Sequence, residues 1–284
     1  MRVLLTGATG YIGSNVLAAL VAAGHEVLAV TRSASSAEQV DAAGGTAVVH
    51  DLRDTPWLVE QLRDVDAAIH TAATGDADNP SFDDAVIDAV LDAFVGTDKP
   101  YVHTSGIWIW GTGVVDPAGP LDPPALVAWR LQREERLLAA DVQATILAPA
   151  IVYGQGRGIV AGVLGAGSRT ADGALRLVGA GDQRWTTVHV EDLADAYVLA
   201  LTDGPRGRRV PAASGDNPTV REIARAVVGP DGVLLPETDA ESRARLGAGF
   251  AEALLLDQRV DGSFDATGWA WAPSRPGLLR ELSA

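Results

Sequence analysis

Residues 3–13 read Val3-Leu4-Leu5-Thr6-Gly7-Ala8-Thr9-Gly10-Tyr11-Ile12-Gly13, an apolar strand that runs into glycines three residues apart and then into a helix. Gly7 and Gly10 are expected to turn the backbone with positive φ and to let it approach a ligand, while Gly13 lets helix and strand pack closely. The unpaired N–H groups at the start of the helix would then face an anion, and the helix dipole adds to the attraction. Ile12, Val16, Leu17, Leu20 and Val21 share one helical face, so strand, turn and helix are all present. In a chain with 31 glycines an isolated triplet could be an ordinary tight turn. The flanking elements favour a phosphate cradle.

Working outward, 284 residues with 47% hydrophobic content suffice for one large α/β domain, or for a main domain with a small lobe. A net charge of -15 without a dense Lys/Arg cluster argues against nucleic acid or an anionic membrane as partner. The expected partner is a small-molecule substrate, and a homodimer is admissible. With no cysteine, disulfides, thiolate nucleophiles and sulfur metal sites are excluded, which fits the cytoplasm. His25, His50, His70, His103 and His189 lack the close helical spacing of a zinc motif, so no metal is expected. Glycines 7, 10 and 13 interrupt any signal-peptide core, and no apolar run reaches membrane-spanning length, so a soluble protein is expected. Asn79 and Asn217 are each followed by proline, which removes them as glycosylation acceptors.

Short apolar runs near residues 2–6, 26–31, 46–50, 66–70, 100–105 and 144–149 alternate with helical patterns. That alternation predicts a doubly wound, Rossmann-type parallel sheet covered on both faces. The expected dinucleotide-binding domain spans residues 1–153. From 154 to 183 the chain loosens into glycine-rich loops, and helices fit residues 190–201 and 219–228. Residues 154–284 are therefore read mainly as a small C-terminal substrate lobe, with some segments returning to the core. Trp269, Trp271, Pro273 and Leu278 are assigned to packing.

In a dinucleotide fold the end of the second strand meets the adenosine ribose, where a carboxylate would bind the 2′-hydroxyl. Here that end reads Thr31-Arg32-Ser33. Arg32 can pair with a 2′-phosphate and Ser33 can donate a further bond, so NADP(H) is favoured over NAD(H). The alternative is a solvated Arg32 with NAD(H) held by other contacts. After the third strand, Asp51 could meet the adenine amine and Leu52 its face, while acidic residues there could also cap the helix from Trp57.

Residues 6–13, Asp51-Leu52, residues 65–73 (Val-Asp-Ala-Ala-Ile-His-Thr-Ala-Ala), residues 101–106 (Tyr-Val-His-Thr-Ser-Gly), residues 148–154 and residues 187–194 come in a telling order. Together they resemble the extended or atypical short-chain dehydrogenase/reductase family, the NAD-dependent epimerase/dehydratase group, over nearly the whole chain. The resemblance implies that Thr71, Ala72 and Ala73 line the diphosphate and ribose. It also implies that Thr104 and Ser105 lie beside the nicotinamide and that Pro149 and Ile151 border its carboxamide.

The same resemblance implies a Tyr-x-x-x-Lys helix pair as proton donor, and this chain has none: Tyr11, Tyr101, Tyr153 and Tyr197 are followed four residues on by Asn15, Ser105, Arg157 and Leu201. In the expected helix, Leu126 with Arg130 or Trp129 with Arg133 occupy the pair's place. Arg130 could hold ribose or diphosphate, but its pKa is too high for it to donate a proton at neutral pH. Ser105 and Tyr153 are the candidate donors, since general acid chemistry requires reach first. Tyr153 could equally be a loop-packing aromatic. His103, Trp108 and Trp110 could wall an apolar substrate pocket, while His189 and Asp192 read as a helix-capping cluster. Three functions remain open at this point. The first is an NADP(H)-dependent oxidoreductase acting on a small or apolar carbonyl, imine or enone. The second is a non-catalytic NADP-binding sensor or regulator, and the third is an epimerase, isomerase or dehydratase using bound nicotinamide.

Overall fold

Seven parallel strands make the central sheet: β1 (Arg2–Thr6), β2 (Glu26–Thr31), β3 (Thr46–Val49), β4 (Ala67–His70), β5 (Pro100–Thr104), β6 (Gln143–Pro149) and β7 (Arg208–Ala212). The computed structural model describes residues 1–261 and 269–283; residues 262–268 and 284 of the expected lobe lie outside the described residues. In space the strands run β3-β2-β1-β4-β5-β6-β7. The order reverses direction at β1, and its carboxyl edge is the place where doubly wound folds hold ligands.

Alternation along β1 explains the layering. Val3 and Leu5 point into one core cluster and Leu4 into the other, with Leu4 in register between Leu28 and Ala68. On the Val3 side lie α1 (Tyr11–Ala22), α2 (Ala34–Ala42) and, late in the chain, α7 (Val190–Thr202), whose Leu193, Ala196 and Tyr197 join Val16, Leu17 and Leu20 in one cluster. On the Leu4 side lie α3 (Thr55–Arg63), α4 (Asn79–Phe94) and α5 (Ala125–Ala139), which bury Leu58, Leu62, Phe82, Val86, Phe94 and Leu137. Each fully buried side chain of this size contributes roughly 1.5–3 kcal/mol relative to exposure.

The smaller lobe has its own core of Val160, Val163, Leu175, Trp185, Val220, Ile223, Leu254 and Leu278. It is built on α6 (Gly158–Val163), α8 (Val220–Val228), α9 (Asp239–Leu246), α10 (Ala248–Leu254) and α11 (Leu278–Leu282). A parallel pair, Ile151–Gly154 with Thr187–His189, leads from β6 into this lobe. The chain then returns to the sheet through α7 and β7. The strand β7 carries Arg208, Arg209 and Pro211, and so lacks the apolar run by which the other strands are recognised; its proline is tolerated because β7 is an edge. Trp269 and Trp271 stack in the first core cluster, 5.5 Å apart. No helix among the described residues is long and apolar enough to cross a membrane.

Candidate functional site

The turn after β1 departs from the expectation at one glycine. Gly7 has φ +76, and a Cβ on it would stand 2.6 Å from the Ala72 nitrogen. Gly10 instead sits at φ -74 as the N-cap of α1, where no side chain caps the first turn, so it contributes open space rather than a left-handed bend. Gly13 is closed in most tightly, because a Cβ there would lie 2.0 Å from the Gly7 carbonyl oxygen and 2.7 Å from Thr71 Oγ1. Bare glycines thus leave the first amides of α1 facing outward, free for an anion.

These amides floor a groove of about 470 Å³ that runs from Gly7 through Gly13 to Arg32, Ser36 and Leu52, with Thr71, Ala72, Ala73 and Thr74 as its wall. Thr9, Gly10, Tyr11 and Ile12 line it as well. Tyr11 and Ile12 also line a second cavity of about 270 Å³, together with Thr104, Ser105, Gly106, Ile107, Trp108, Val127, Arg130, Pro149 and Ile151. The two cavities are therefore contiguous along the carboxyl edge of β1, β4, β5 and β6. The groove fits a dinucleotide on its own geometry: a turn too tight for a Cβ at Gly7 or Gly13, a cation at one end and an apolar pocket at the other.

The structure also separates the two helix registers left open by the sequence. Arg130 lines the second cavity and donates from Nη1 to the Thr104 carbonyl, 3.0 Å away, while its guanidinium lies over Trp129. Arg133 points instead to α4, pairing with Asp84 and the Pro80 carbonyl. Of the two arginines only Arg130 thus reaches the second cavity, and Leu126 one turn earlier is exposed.

Other expected residues stand away from the walls of these two cavities, each for a local reason. Ser33 caps α2 by accepting from the Ser36 N–H, and it is Ser36 that reaches the groove. Asp51 accepts from the Arg53 N–H and stays exposed, while Asp54 caps α3, leaving Leu52 at the groove. Trp110 is packed in the first core cluster. His103 is buried beneath the sheet's end, with its ring between Tyr101 and Asp83. The Tyr153 hydroxyl donates to the Pro276 carbonyl at 2.8 Å, outside the second cavity, and burial pushes its pKa up, with the Glu281 charge adding to the effect.

Among the described residues three hydroxyls line the second cavity, and each has already given its hydrogen to the protein. Tyr11 donates to the Gly154 carbonyl at 2.8 Å, Thr104 to the His70 carbonyl at 2.5 Å, and Ser105 to Glu134 Oε1 at 2.5 Å. The Tyr197 hydroxyl in turn donates to Thr104 Oγ1 at 2.7 Å. Glu134 is completely buried, and its other oxygen takes the Arg209 Nε–H from β7 at 2.5 Å, so its charge is paired inside the fold. His189 caps α7 by accepting from the Glu191 N–H, and Asp192 accepts the Ser274 and Arg275 amides, pinning the C-terminal segment. Among the described residues no cluster of His, Cys, Asp and Glu could hold a metal.

Sequence reading missed Val30, Ser36, Thr74 and Phe82 on the groove and Val127 and Ile159 on the second cavity. A capping pattern from Ser33 to Ser36 could have found one of them. Phe82 and Val127 come from helices on the far side of crossovers and carry no local signal.

Against known proteins, the profile of the NAD dependent epimerase/dehydratase family matches residues 3–92 and 130–213. The chain is 28% identical to an uncharacterised protein of Schizosaccharomyces pombe, covering all of this chain and 99% of that one. It is 26% identical to 4-hydroxy-2-methyl-3-oxo-4-farnesyl-3,4-dihydroquinoline-1-oxide ketoreductase of Stigmatella aurantiaca, over 92% of this chain and 84% of the relative. Among solved structures, UDP-glucose 4-epimerase of Thermus thermophilus in complex with NAD shares the fold with a TM-score of 0.76 and 21% identity, covering 100% of this chain and 97% of that one. Glycine cradle, strand order and sequence profile agree, and the chain belongs to the NAD dependent epimerase/dehydratase family.

Proposed function

We propose that the chain is an NADP(H)-dependent reductase acting on a small or apolar carbonyl, imine or enone. The observation that carries this reading is the meeting, at Tyr11 and Ile12, of an amide-floored groove ending in Arg32 with an apolar pocket. Bound there, the cofactor would supply hydride from its nicotinamide ring. At the other end Arg32 would pair with the 2′-phosphate and Ser36 would add a donor at the start of α2. Thr71, Ala72 and Ala73 would flank the diphosphate and ribose. Arg130, held on the Thr104 carbonyl, would reach the nicotinamide ribose, and Pro149 and Ile151 would border the carboxamide. Ile12, Ile107, Trp108, Val127 and Ile159 exclude water and favour an apolar substrate.

Proton supply falls to water in this reading, because the Ser105 and Tyr11 hydrogens are committed inward and Tyr153 lies outside the pocket. The ketoreductase relative supports the reductase reading. A second reading, a non-catalytic NADP(H)-binding sensor, draws on the same inward-turned hydroxyls. Epimerase or dehydratase chemistry needs a base, and the described residues lining the pocket include no carboxylate or imidazole. The test is NADPH oxidation across aldehydes, ketones, enones and imines, run beside calorimetric titration of both dinucleotides. Substrate-dependent oxidation supports the reductase, tight binding without turnover supports the sensor, and failure to bind either dinucleotide overturns both.

A further inference from the structure

Beneath the groove wall lies a row of buried polar side chains that none of the roles above uses. His70 at the end of β4 and His103 in β5 stack with ring centroids 5.5 Å apart, and both are at most 2% exposed. Asp83 of α4, also buried, stands between their edges, with Oδ1 3.0 Å from His70 Nε2 and Oδ2 3.3 Å from His103 Nε2. On the outer sides the Tyr101 hydroxyl lies 3.0 Å from His103 Nδ1, and Thr6 Oγ1 lies 2.8 Å from His70 Nδ1. Thr6 Oγ1 also accepts the N–H of Ala72, 3.3 Å away, and Ala72 is part of the groove wall.

Donor and acceptor counting gives this row a direction. A carboxylate only accepts, so His70 must present Nε2–H to Asp83 Oδ1, whereas the 3.3 Å approach of His103 Nε2 to Oδ2 lacks hydrogen-bond geometry. Burial pushes the His70 pKa down, against the opposing pull of Asp83, so its one proton sits on Nε2 and Nδ1 must accept. The Thr6 hydroxyl therefore donates to His70 and turns its lone pairs to the Ala72 N–H. Burial raises the Tyr101 pKa, with the Asp83 charge adding to the effect, so its hydroxyl keeps its hydrogen beside His103 Nδ1. The His70 carbonyl, on the other side, accepts from Thr104 of the pocket. Arg130 and Phe82 are the other groups facing His70.

We infer that Asp83, which does not line the groove, is a positioning residue for it: through a fixed tautomer of His70 it orients the Thr6 hydroxyl that holds Ala72 in the wall. This inference rests on the reading of the groove as a dinucleotide site. In an Asp83→Asn variant whose amide NH₂ faces the His70 Nε2–H, two donors meet, and the ring must move its proton to Nδ1. On His70 that proton would point at Thr6 Oγ1, whose own hydrogen is displaced from the row.

Two variants and three readouts test the inference. Long-range ¹H–¹⁵N NMR of the unliganded wild type is expected to show the Nε2–H tautomer for His70, and a changed tautomer in Asp83→Asn. Thr6→Val removes the acceptor while leaving Asp83 and both rings in place. In both variants the Ala72 amide should exchange with solvent about tenfold faster and the affinity for NADPH should fall by about tenfold, the scale of one lost hydrogen bond. An Nδ1–H tautomer on His70 in the wild type overturns the inference. So does a folded Thr6→Val protein with unchanged Ala72 exchange, and this holds even where Asp83→Asn does not fold. If the wild type binds no dinucleotide, the proposed function falls, while the tautomers and the Ala72 exchange still judge the row of side chains.

Discussion

The groove along the start of α1 and the pocket beneath α5 share Tyr11 and Ile12, yet they are made of opposite materials. The groove offers backbone amides that no side chain caps, because Gly7, Gly10 and Gly13 leave the space empty. The pocket offers side chains, and each of its hydroxyls has spent its hydrogen on a carbonyl or a buried carboxylate. A groove built this way tolerates many side chains but no added Cβ at its tightest glycine. A pocket built this way binds by shape, and loses stability before it loses chemistry when a hydroxyl is removed.

The sharpest break of this contrast is Gly13→Ala. A methyl 2.0 Å from the Gly7 carbonyl oxygen forces the turn apart. Calorimetry should show NADPH affinity down at least about 100-fold, with roughly 1–3 kcal/mol of stability lost to overpacking. Affinity within threefold of wild type would remove the groove from the cofactor reading. Next in size is Arg32→Ala, which should weaken NADPH binding by about 10- to 100-fold, the range of a charge-assisted hydrogen bond, and leave NADH within twofold. Equal losses for the two dinucleotides would mean that Arg32 does not meet the 2′-phosphate.

On the pocket side, Ser105→Ala should cost about 1–3 kcal/mol in denaturant unfolding, because Glu134 loses its hydroxyl partner in a fully buried place. Turnover should stay within tenfold, whereas a proton donor would lose about 10²–10⁴. Tyr153→Phe, which gives up only the bond to the Pro276 carbonyl, should change neither turnover nor NADPH affinity.

The smallest effect per step is in acid. Burial lowers the His70 pKa in the folded protein, so below about pH 6.5 the unfolded chain binds a proton that the folded one refuses. Stability should therefore fall as pH drops through that point, by up to about 1.4 kcal/mol per unit until the folded value is reached. Burial raises the Asp83 carboxyl, but the facing His103 and His70 rings outweigh it and hold the group well below the carboxylate range. Its contribution is thus present above about pH 3.9 and lost in stronger acid. Thermal melts from neutral pH to about pH 5 check the first slope, which His70→Gln should remove.

Much of the sheet was legible because each strand announces itself locally. Apolar runs at residues 2–6, 26–31 and 144–149 and the helices between them place six strands to within a residue of β1 to β6 at either end, 46–49, 67–70, 100–104 and 143–149 included. The seventh strand was not legible, since Arg208, Arg209 and Pro211 carry no apolar signal. Thr71, Ala72 and Ala73 are found on the groove wall, and Ser105, Arg130 and Ile151 on the pocket. Ser33, Asp51, His103, Trp110 and Tyr153 stand elsewhere, because a helix cap, a turn, a buried carboxylate, a core cluster and a distant carbonyl claimed them first.

By itself the sequence determined what depends on spacing along the chain: the glycine turn, the alternation of strands and helices, and the lack of any Tyr-x-x-x-Lys pair. Tertiary structure alone decided where each polar hydrogen goes. Ser105 meets Glu134 29 residues away, Glu134 meets Arg209 75 residues away, and Tyr153 meets Pro276 123 residues away. Turns and periodicities are short-range properties of the backbone, whereas a buried donor takes whichever acceptor the packing of distant segments brings within reach.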